Sequence, residues 1–287
     1  MKKMIFGLMS SMVLITGCGT TSVDEGFNPA ARIAVLSRES GSGTRGAFVE
    51  ILNIEENNPD GTRRDLTTVE ATIAPRTDVM MVNVSNDINA IGYISLGSLN
   101  DTVRALYIDG VAPTAENVRN GSYMISRPFN IVFDEYLTYV AYDFLNFILS
   151  SDGQAIVAEN YIEAHTDTQP HTTNGAGGTV TVSGSTSVAP VMNLLREAYE
   201  GINPNATIEI QSTGSSSGIT SVIDGVSDIG MVSRDLRESE SEALQSDVLG
   251  LDGIVIIVNN NNGFYDLSSD QVRNIFIGEY VGWSDLG

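Results

Sequence analysis

Three times along 287 residues, a run of strand-forming residues passes through a short Gly/Ser/Thr loop straight into an amphipathic helix. This repeated unit limits the fold more than any other feature of the chain. Arg32 to Ser37 leads through Gly41-Ser42-Gly43-Thr44-Arg45-Gly46 to a helix with Phe48, Ile51 and Leu52 on one face. Thr179 to Val182 leads through Gly184-Ser185-Thr186-Ser187 to a helix in which Val188, Val191, Met192, Leu195 and Tyr199 keep helical spacing. Thr207 to Gln211 leads through Gly214-Ser215-Ser216-Ser217-Gly218 to a helix carrying Ile219, Val222 and Ile223. A helix that follows a strand this closely carries the chain back to a parallel neighbour, so the pattern predicts an α/β protein with largely parallel sheets. Further buried strands are expected at Asn89 to Leu96 and Gly253 to Val258, with helices over Val140 to Leu149 and Gln271 to Phe276. Asn58 to Arg76 is polar and aperiodic, and the Thr-, Gly- and Pro-rich stretch 163–178 reads as a linker.

The same loops suit an anion. A helix N-terminus presents unpaired backbone N–H groups and the positive end of the helix dipole, glycine lets a ligand approach the backbone, and hydroxyls add donors. Taken singly, each loop reads as an ordinary N-cap. Three on one chain fit a tetrahedral anion, whose four oxygens take donors from several directions. Arg38, at the end of the first strand and four residues before Ser42, is placed to add a bidentate guanidinium, the alternative being a surface arginine. In Asp228-Ile229-Gly230-Met231-Val232-Ser233-Arg234 a strand end would aim Ser233 at the same cleft, while Asp228 and Arg234 are equally able to form a structural ion pair.

Several function classes are excluded. Ser/His/Asp catalysis needs a positioned histidine, and His165 and His171, the two in the chain, both lie in the expected linker. Their placement also removes most zinc sites. Gly41 to Gly46 is no nucleotide P-loop, because the only lysines are Lys2 and Lys3. No enzymatic activity, metal or other cofactor is therefore expected. The formal net charge of −21 argues against nucleic acid and against electrostatic docking on anionic lipid. It also requires a bound anion to be held by local dipoles and buried arginine rather than by the field of the whole protein.

The chain opens with Lys2 and Lys3, an apolar run from Met4 to Ile15, and Ile15-Thr16-Gly17-Cys18, the layout of a bacterial secretion signal ending in a lipobox. That run is shorter than the roughly 20 residues that span a bilayer. Residues 1–17 are expected to be removed as a signal peptide, which takes both lysines and deepens the charge to −23. Cys18, the only cysteine, would become an acylated N-terminus on the extracytoplasmic face of the cell membrane, with 18–27 as a tether. A single cysteine rules out any disulfide within the chain.

These segments resemble the phosphate-binding proteins of bacterial phosphate ABC importers, which have periplasmic-binding-protein-like folds of the second topological type. The matching stretches are SRESGSGTRGAF at 37–48, NAIGYISLGSL at 89–99, VSGSTSVAP at 182–190, GSSSGI at 214–219, SDIGMVSR at 227–234 and LDGIVIIVN at 251–259. The resemblance implies two α/β lobes that close like a hinged trap over one phosphate in the cleft between them, held entirely by hydrogen bonds. Carried over by position, the ligand donors are Arg38, Ser42, Gly43, Thr44, Thr186, Ser187, Ser215 and Ser233. It further implies a monomeric, lipid-anchored solute-binding protein, without cofactor, that passes inorganic phosphate to the permease subunits of an ABC importer.

Two features depart from the family. Some members have aspartates where this chain has Ser233 and Ser40, so recognition of a phosphate proton falls to a hydroxyl lone pair, to Glu39 or to a backbone carbonyl. Binding of another oxyanion (sulfate, molybdate or tungstate) and a non-transport role as surface sensor or adhesin are the alternatives. Segment order also differs: in the family the GSTSVAP half comes first, whereas here it comes second and the last segment is Trp283-Ser284-Asp285-Leu286-Gly287. This is the order of a circular permutation, with 163–178 joining the old ends as a mobile surface loop and with Asn28 and Gly287 near neighbours. Family topology then implies a discontinuous lobe two, 28–92 plus 259–287, and a lobe one running from 93 to 258. The alternative is one piece of a tandem gene whose halves pair with different chains.

Overall fold

The computed structural model describes residues 26–58 and 63–287; the secretion signal, Cys18 and the tether up to residue 25 lie outside the described residues. In the first half of the chain β1 (Ala34–Arg38) feeds α1 (Gly43–Ile51), β2 (Thr72–Ala74) feeds α2 (Thr77–Asn86), and β3 (Ala90–Ser95) follows. β1 lies parallel to both neighbours, with Arg38 opposite Ala74 and Ala34 opposite Ala90. β3 is buried at every position, as a strand covered on both faces requires. The second half contains β4 (Ser126–Phe133), α3 (Tyr139–Leu149), β5 (Gly178–Gly184), α4 (Ala189–Ile202), β6 (Ala206–Ser212), α5 (Ser215–Ile223) and β7 (Ile229–Val232). β5 is parallel to β6 and β7, and β7 is antiparallel to β4. All three expected strand–loop–helix units are present, and β8 (Gln245–Val258) and α6 (Ser269–Ile277) complete the frame.

β8 joins the two halves. Its first part, Gln245 to Gly253, pairs antiparallel with β4, and its second, Ile254 to Val258, with β3. The strands therefore follow one path, β6-β5-β7-β4-β8-β3-β1-β2, divided between separate cores. Phe129, Phe144, Val182, Leu195 and Tyr199 fill the core of one lobe. In the other lobe Phe48, Tyr93, Ile256, Phe276 and Trp283 pack on one face of the sheet, and Met80, Ile94, Val255 and Ile257 on the opposite face. Each such side chain contributes about 1.5–3 kcal/mol through burial.

The packing differs from the expected lobe limits. Tyr93, Leu106, Ile108, Val118, Tyr123 and Ile125, which the sequence assigned to the start of lobe one (93–258), pack in the core of lobe two, as do Ile254 to Val258. The chain crosses between lobes near Ser126 and Gly253, where Cα atoms of the two residues pair. Apolar character does not change along Gly253 to Val258, so nothing in that run marks the crossing. β2 was hidden for a related reason: as an edge strand with Thr72 and Ile73 exposed, it carries no apolar period.

The stretch 163–178 lies on lobe one and is tied to it. Glu163 pairs with Gly250 of β8, and the N–H groups of Ala164 and His165 donate to Gln154 Oε1 at 2.9 and 3.1 Å. Thr173 Oγ1 and Asn174 N donate to the buried Asp143 of α3 at 2.7 and 3.1 Å. Burial works against ionisation of Asp143, but hydrogen bonds from Thr173 and Tyr199 outweigh it and hold the carboxyl below the usual range. At the other end of the molecule Ile33 N donates to Val281 O at 2.8 Å, Trp283 N donates to Ala31 O at 3.2 Å, and the Phe27 and Trp283 rings meet edge to face at 5.7 Å. The stretches that carry Asn28 and Gly287 are thus neighbours.

Candidate functional site

The loops before α1, α2, α4 and α5 converge on one place, with Arg38 at its centre. β1 ends at Arg38, whose guanidinium is 1% exposed. Its Nε donates to Ala74 O at 3.1 Å, Nη1 to Thr77 Oγ1 at 3.3 Å and Nη2 to Thr186 Oγ1 at 3.0 Å, the last bond reaching from lobe two to lobe one. The remaining bonds, from Nε and Nη2, go to the two carboxylate oxygens of Glu39 at 2.9 Å each. The surface-arginine alternative is thereby removed.

A network of hydroxyls surrounds this cation. Thr44 Oγ1 lies 2.8 Å from Ser187 Oγ, and Thr77 Oγ1 lies 3.2 Å from Thr186 Oγ1 and 3.4 Å from Ser187 Oγ. Deeper in lobe one Ser185 Oγ donates to Ser233 Oγ at 2.9 Å, and Ser233 N donates to Ser215 Oγ at 3.2 Å. Gly43 faces the same serines so closely that a β-carbon there would collide with Ser215 Oγ and Ser233 Oγ. The lobes also meet through the backbone, Ser216 N donating to Gly41 O at 3.2 Å. All eight expected site residues are therefore gathered, although Ser42 acts through its helix: its hydroxyl caps α1 by accepting from Arg45 N at 3.3 Å. The N-cap account holds for that loop alone, since α4 and α5 carry no side-chain cap bond.

The local sequence explains the placement. Gly184 ends β5 with φ +136°, and a β-carbon there would lie 2.3 Å from Met231 O; only glycine lets β5 pass so near β7 and turn Ser185 into the cleft. Ser233 follows β7 directly and so projects from the strand end beside it. Asp228 and Arg234 do not pair with each other. Asp228 accepts from Thr181 N and Oγ1, both at 2.8 Å, while Arg234 holds Glu240 with two bonds of 2.7 and 2.8 Å.

Sequence reasoning missed Thr77, Ser185 as a bonding partner, and a second buried arginine. Thr77 opens α2 after β2, a fourth strand–loop–helix unit whose strand is too polar to show. Arg127 sits where the chain crosses between lobes, paired across the strands with Asp252 at 3.1 Å, both side chains essentially excluded from solvent. Burial pushes the Asp252 carboxyl up to about 6, with Arg127, Ser95 and Gly97 pulling it the other way. Burial works against the charge of Arg127, and Asp252 favours it. His165 bonds Val248 O through Nε2 at 2.9 Å, and His171 lies 3.5 Å from Asp143; neither touches these serines. Among the described residues, no group of three or more His, Cys, Asp or Glu side chains is placed to hold a metal ion.

The chain matches the family model of the PBP superfamily domain over residues 15–152 and 169–287. It is 45% identical over 284 residues to the phosphate-binding protein PstS 2 of Streptococcus agalactiae, covering 98% of this chain and 96% of that one. The phosphate-binding protein PstS of Bacillus subtilis is 32% identical over 115 residues, 39% of this chain and 38% of the relative. Among solved structures, the phosphate-binding protein of a phosphate ABC transporter from Streptococcus pneumoniae is 44% identical with a TM-score of 0.72, over 90% of this chain and all of that one.

Proposed function

This chain belongs to the PBP superfamily and, within it, to the phosphate-binding proteins of phosphate ABC transporters, and on that premise we propose that it captures inorganic phosphate for an importer. The observation that carries the reading is the junction of a buried guanidinium, Arg38, with hydroxyls from both lobes at three helix N-termini. Guanidinium, hydroxyls and helix starts can all donate, which suits an oxyanion and supplies local positive potential in a chain of net charge −21. In this reading Arg38, Ser42, Gly43, Thr44, Thr186, Ser187, Ser215 and Ser233 donate to the ligand, Ser42 and Gly43 through the first turn of α1. Only the closed arrangement brings Arg38 and Thr186 within bonding distance, so binding selects the closed form. The relatives matched along most of their length are binding proteins, and this one is no enzyme.

The reading includes an acylated Cys18 on the extracytoplasmic face of the cell membrane and a monomer that delivers to permease subunits. The secretion-signal layout of 1–18 supports it. It also includes a circularly permuted segment order with 163–178 as the join. The neighbouring stretches 27–33 and 281–283 support this, as does an alignment that spans nearly all of the S. agalactiae relative but 38% of the B. subtilis one. The contact of Arg38 with Thr186 within one chain favours this over halves that pair with different chains.

One observation favours a second oxyanion. Ser233, buried between Ser185 and Ser215, places neutral hydroxyls at the cleft floor, which do not discriminate against sulfate as a carboxylate would. A thermal-shift titration with phosphate, sulfate and molybdate tests both readings, because a specific ligand raises the melting temperature by mass action. A rise with phosphate alone supports the first, a comparable rise with sulfate or molybdate supports the second, and no rise with any of them defeats both.

A further inference from the structure

The chain passes between the lobes at two neighbouring points, Ser126 in β4 and Gly253 in β8, which pair across the strands. One residue into lobe one, Arg127 and Asp252 pair in the same register, and the carboxylate of Asp252 reaches both lobes. Within lobe one its Oδ2 accepts from Arg127 Nη2 at 3.1 Å. From lobe two its Oδ1 accepts from the hydroxyl of Ser95, the last residue of β3, at 2.8 Å, and from Gly97 N at 3.5 Å. Ser95, Arg127 and Asp252 are all buried, so water does not compete for these bonds. The junction is also filled by Tyr161 of lobe one, whose ring lies so near Gly97 that a β-carbon there would collide with it.

Rotation of the lobes about the two crossings turns the backbone at a few residues there, and it moves Asp252, on one side, relative to Ser95, on the other. Resting on the reading that this cleft takes an oxyanion, we propose that the bond from Ser95 to Asp252 is a hinge catch that favours the closed form. Ser95 and Asp252 then act as positioning residues, bringing the ligand donors of the two lobes together without touching the ligand. Without the catch the closed fraction of ligand-free molecules falls, and the apparent dissociation constant rises by the inverse of that fraction. The catch is strongest with Asp252 ionised, because a hydroxyl donates more strongly to a carboxylate than to a neutral acid. Burial pushes the Asp252 carboxyl up to about 6, and Arg127, Ser95 and Gly97 pull it the other way. Opening removes the pull of Ser95 and Gly97, so the open form takes the proton more readily and protonation favours opening. The other titratable groups beside Asp252 are Tyr123 and Tyr161, whose phenols burial pushes up and keeps protonated.

Small-angle scattering and calorimetry with inorganic phosphate, on the wild type, Ser95→Ala, Asp252→Asn and Ser227→Ala, test the proposal. Ser227 is the control, since its hydroxyl donates to Ser183 Oγ at 2.9 Å in a buried bond inside lobe one. A hydrogen bond to a charged acceptor corresponds to about ten- to a hundredfold in an equilibrium constant. At pH 7 Ser95→Ala is expected to be wider than the wild type without ligand, equal to it with saturating phosphate, and weaker in phosphate binding by up to that factor. Ser227→Ala should match the wild type in all three. As pH falls from 7 to 5 the ligand-free wild type should widen, while Asp252→Asn, which has no proton to gain, keeps its dimensions. A Ser95→Ala molecule of wild-type dimensions or wild-type affinity would overturn the proposal. So would an equal loss in Ser227→Ala, or a ligand-free wild type whose width does not respond to pH. Failure of the wild type to bind any oxyanion would remove the reading of the cleft, and the ligand-free scattering would still decide the catch.

Discussion

The hydroxyl of Thr44, on the first turn of α1 in lobe two, lies 2.8 Å from the hydroxyl of Ser187, just before α4 in lobe one, and both residues are buried. The bond closes the cleft at the point where two helix N-termini face each other. Thr44→Val keeps the shape and removes the hydroxyl, leaving Ser187 short of one partner. A buried polar group left unsatisfied costs about 1–3 kcal/mol, so phosphate affinity by calorimetry should fall by about five- to a hundredfold with the fold intact. An unchanged affinity would take Thr44 out of the ligand shell.

Arg38→Ala should weaken phosphate binding far more than Arg237→Ala. Arg38 is enclosed by both lobes, while Arg237 is 71% exposed and 3.9 Å from its nearest acid. Truncating one side of a buried charge pair costs about 2–5 kcal/mol, a factor of tens to thousands. Equal losses in the two variants would show that Arg38 is structural.

Gly43→Ala should abolish closure without unfolding the lobes. Its new methyl would strike Ser215 Oγ and Ser233 Oγ, whereas Gly41→Ala, two residues earlier, would meet nothing nearer than Ser216 Cβ at 4.0 Å. Small-angle scattering with saturating phosphate should show a wider Gly43→Ala molecule and a Gly41→Ala molecule like the wild type. Identical profiles for all three would contradict the steric account.

Asp252 gives a pH dependence with a definite sign. Its folded value of about 6 lies above the ordinary 3.8 because of burial. Between about pH 4 and 6 the folded protein keeps a proton that the unfolded chain has released, so stability linked to this group falls as pH rises through that window. A rise of about two units corresponds to about 3 kcal/mol. Asp252→Asn cannot ionise, so near pH 4, where the wild-type carboxyl keeps its proton and gives Arg127 no counter-charge either, the two should be similar in stability. Relative to the wild type it should then gain up to about 3 kcal/mol between pH 4 and 7 in urea melts. A difference that does not move with pH would mean that Arg127 keeps Asp252 ionised throughout.

Cys18→Ser should release the protein into the medium, since Ile15-Thr16-Gly17-Cys18 after a charged start and an apolar run is the layout that would carry the acyl anchor. Unmodified Cys18 in membrane-bound wild type, found by mass spectrometry, would defeat the lipid anchor.

The sequence by itself determined the strand–loop–helix units and the identity of most cleft residues. Arg38, the Gly43 turn and the serines before α4 and α5 were legible because a strand end, a glycine and a helix start are properties of a few consecutive residues, and the chemistry of a helix N-terminus travels with them. Only the tertiary structure decided the rest. Thr77 joins the site because a polar edge strand, invisible by periodicity, aligns β2 beside β1. The lobe crossing falls at Ser126 and Gly253 because β8 exchanges its partner from β4 to β3 there, an event that leaves its apolar run unchanged. Glu39 rather than a distant acid holds Arg38 because burial leaves a guanidinium few acceptors and an adjacent carboxylate is the nearest that retains access to water. Pairings of that kind depend on which groups lose water together. Thr44 and Ser187 lose it across 143 residues of chain, and only the closed lobes bring them together.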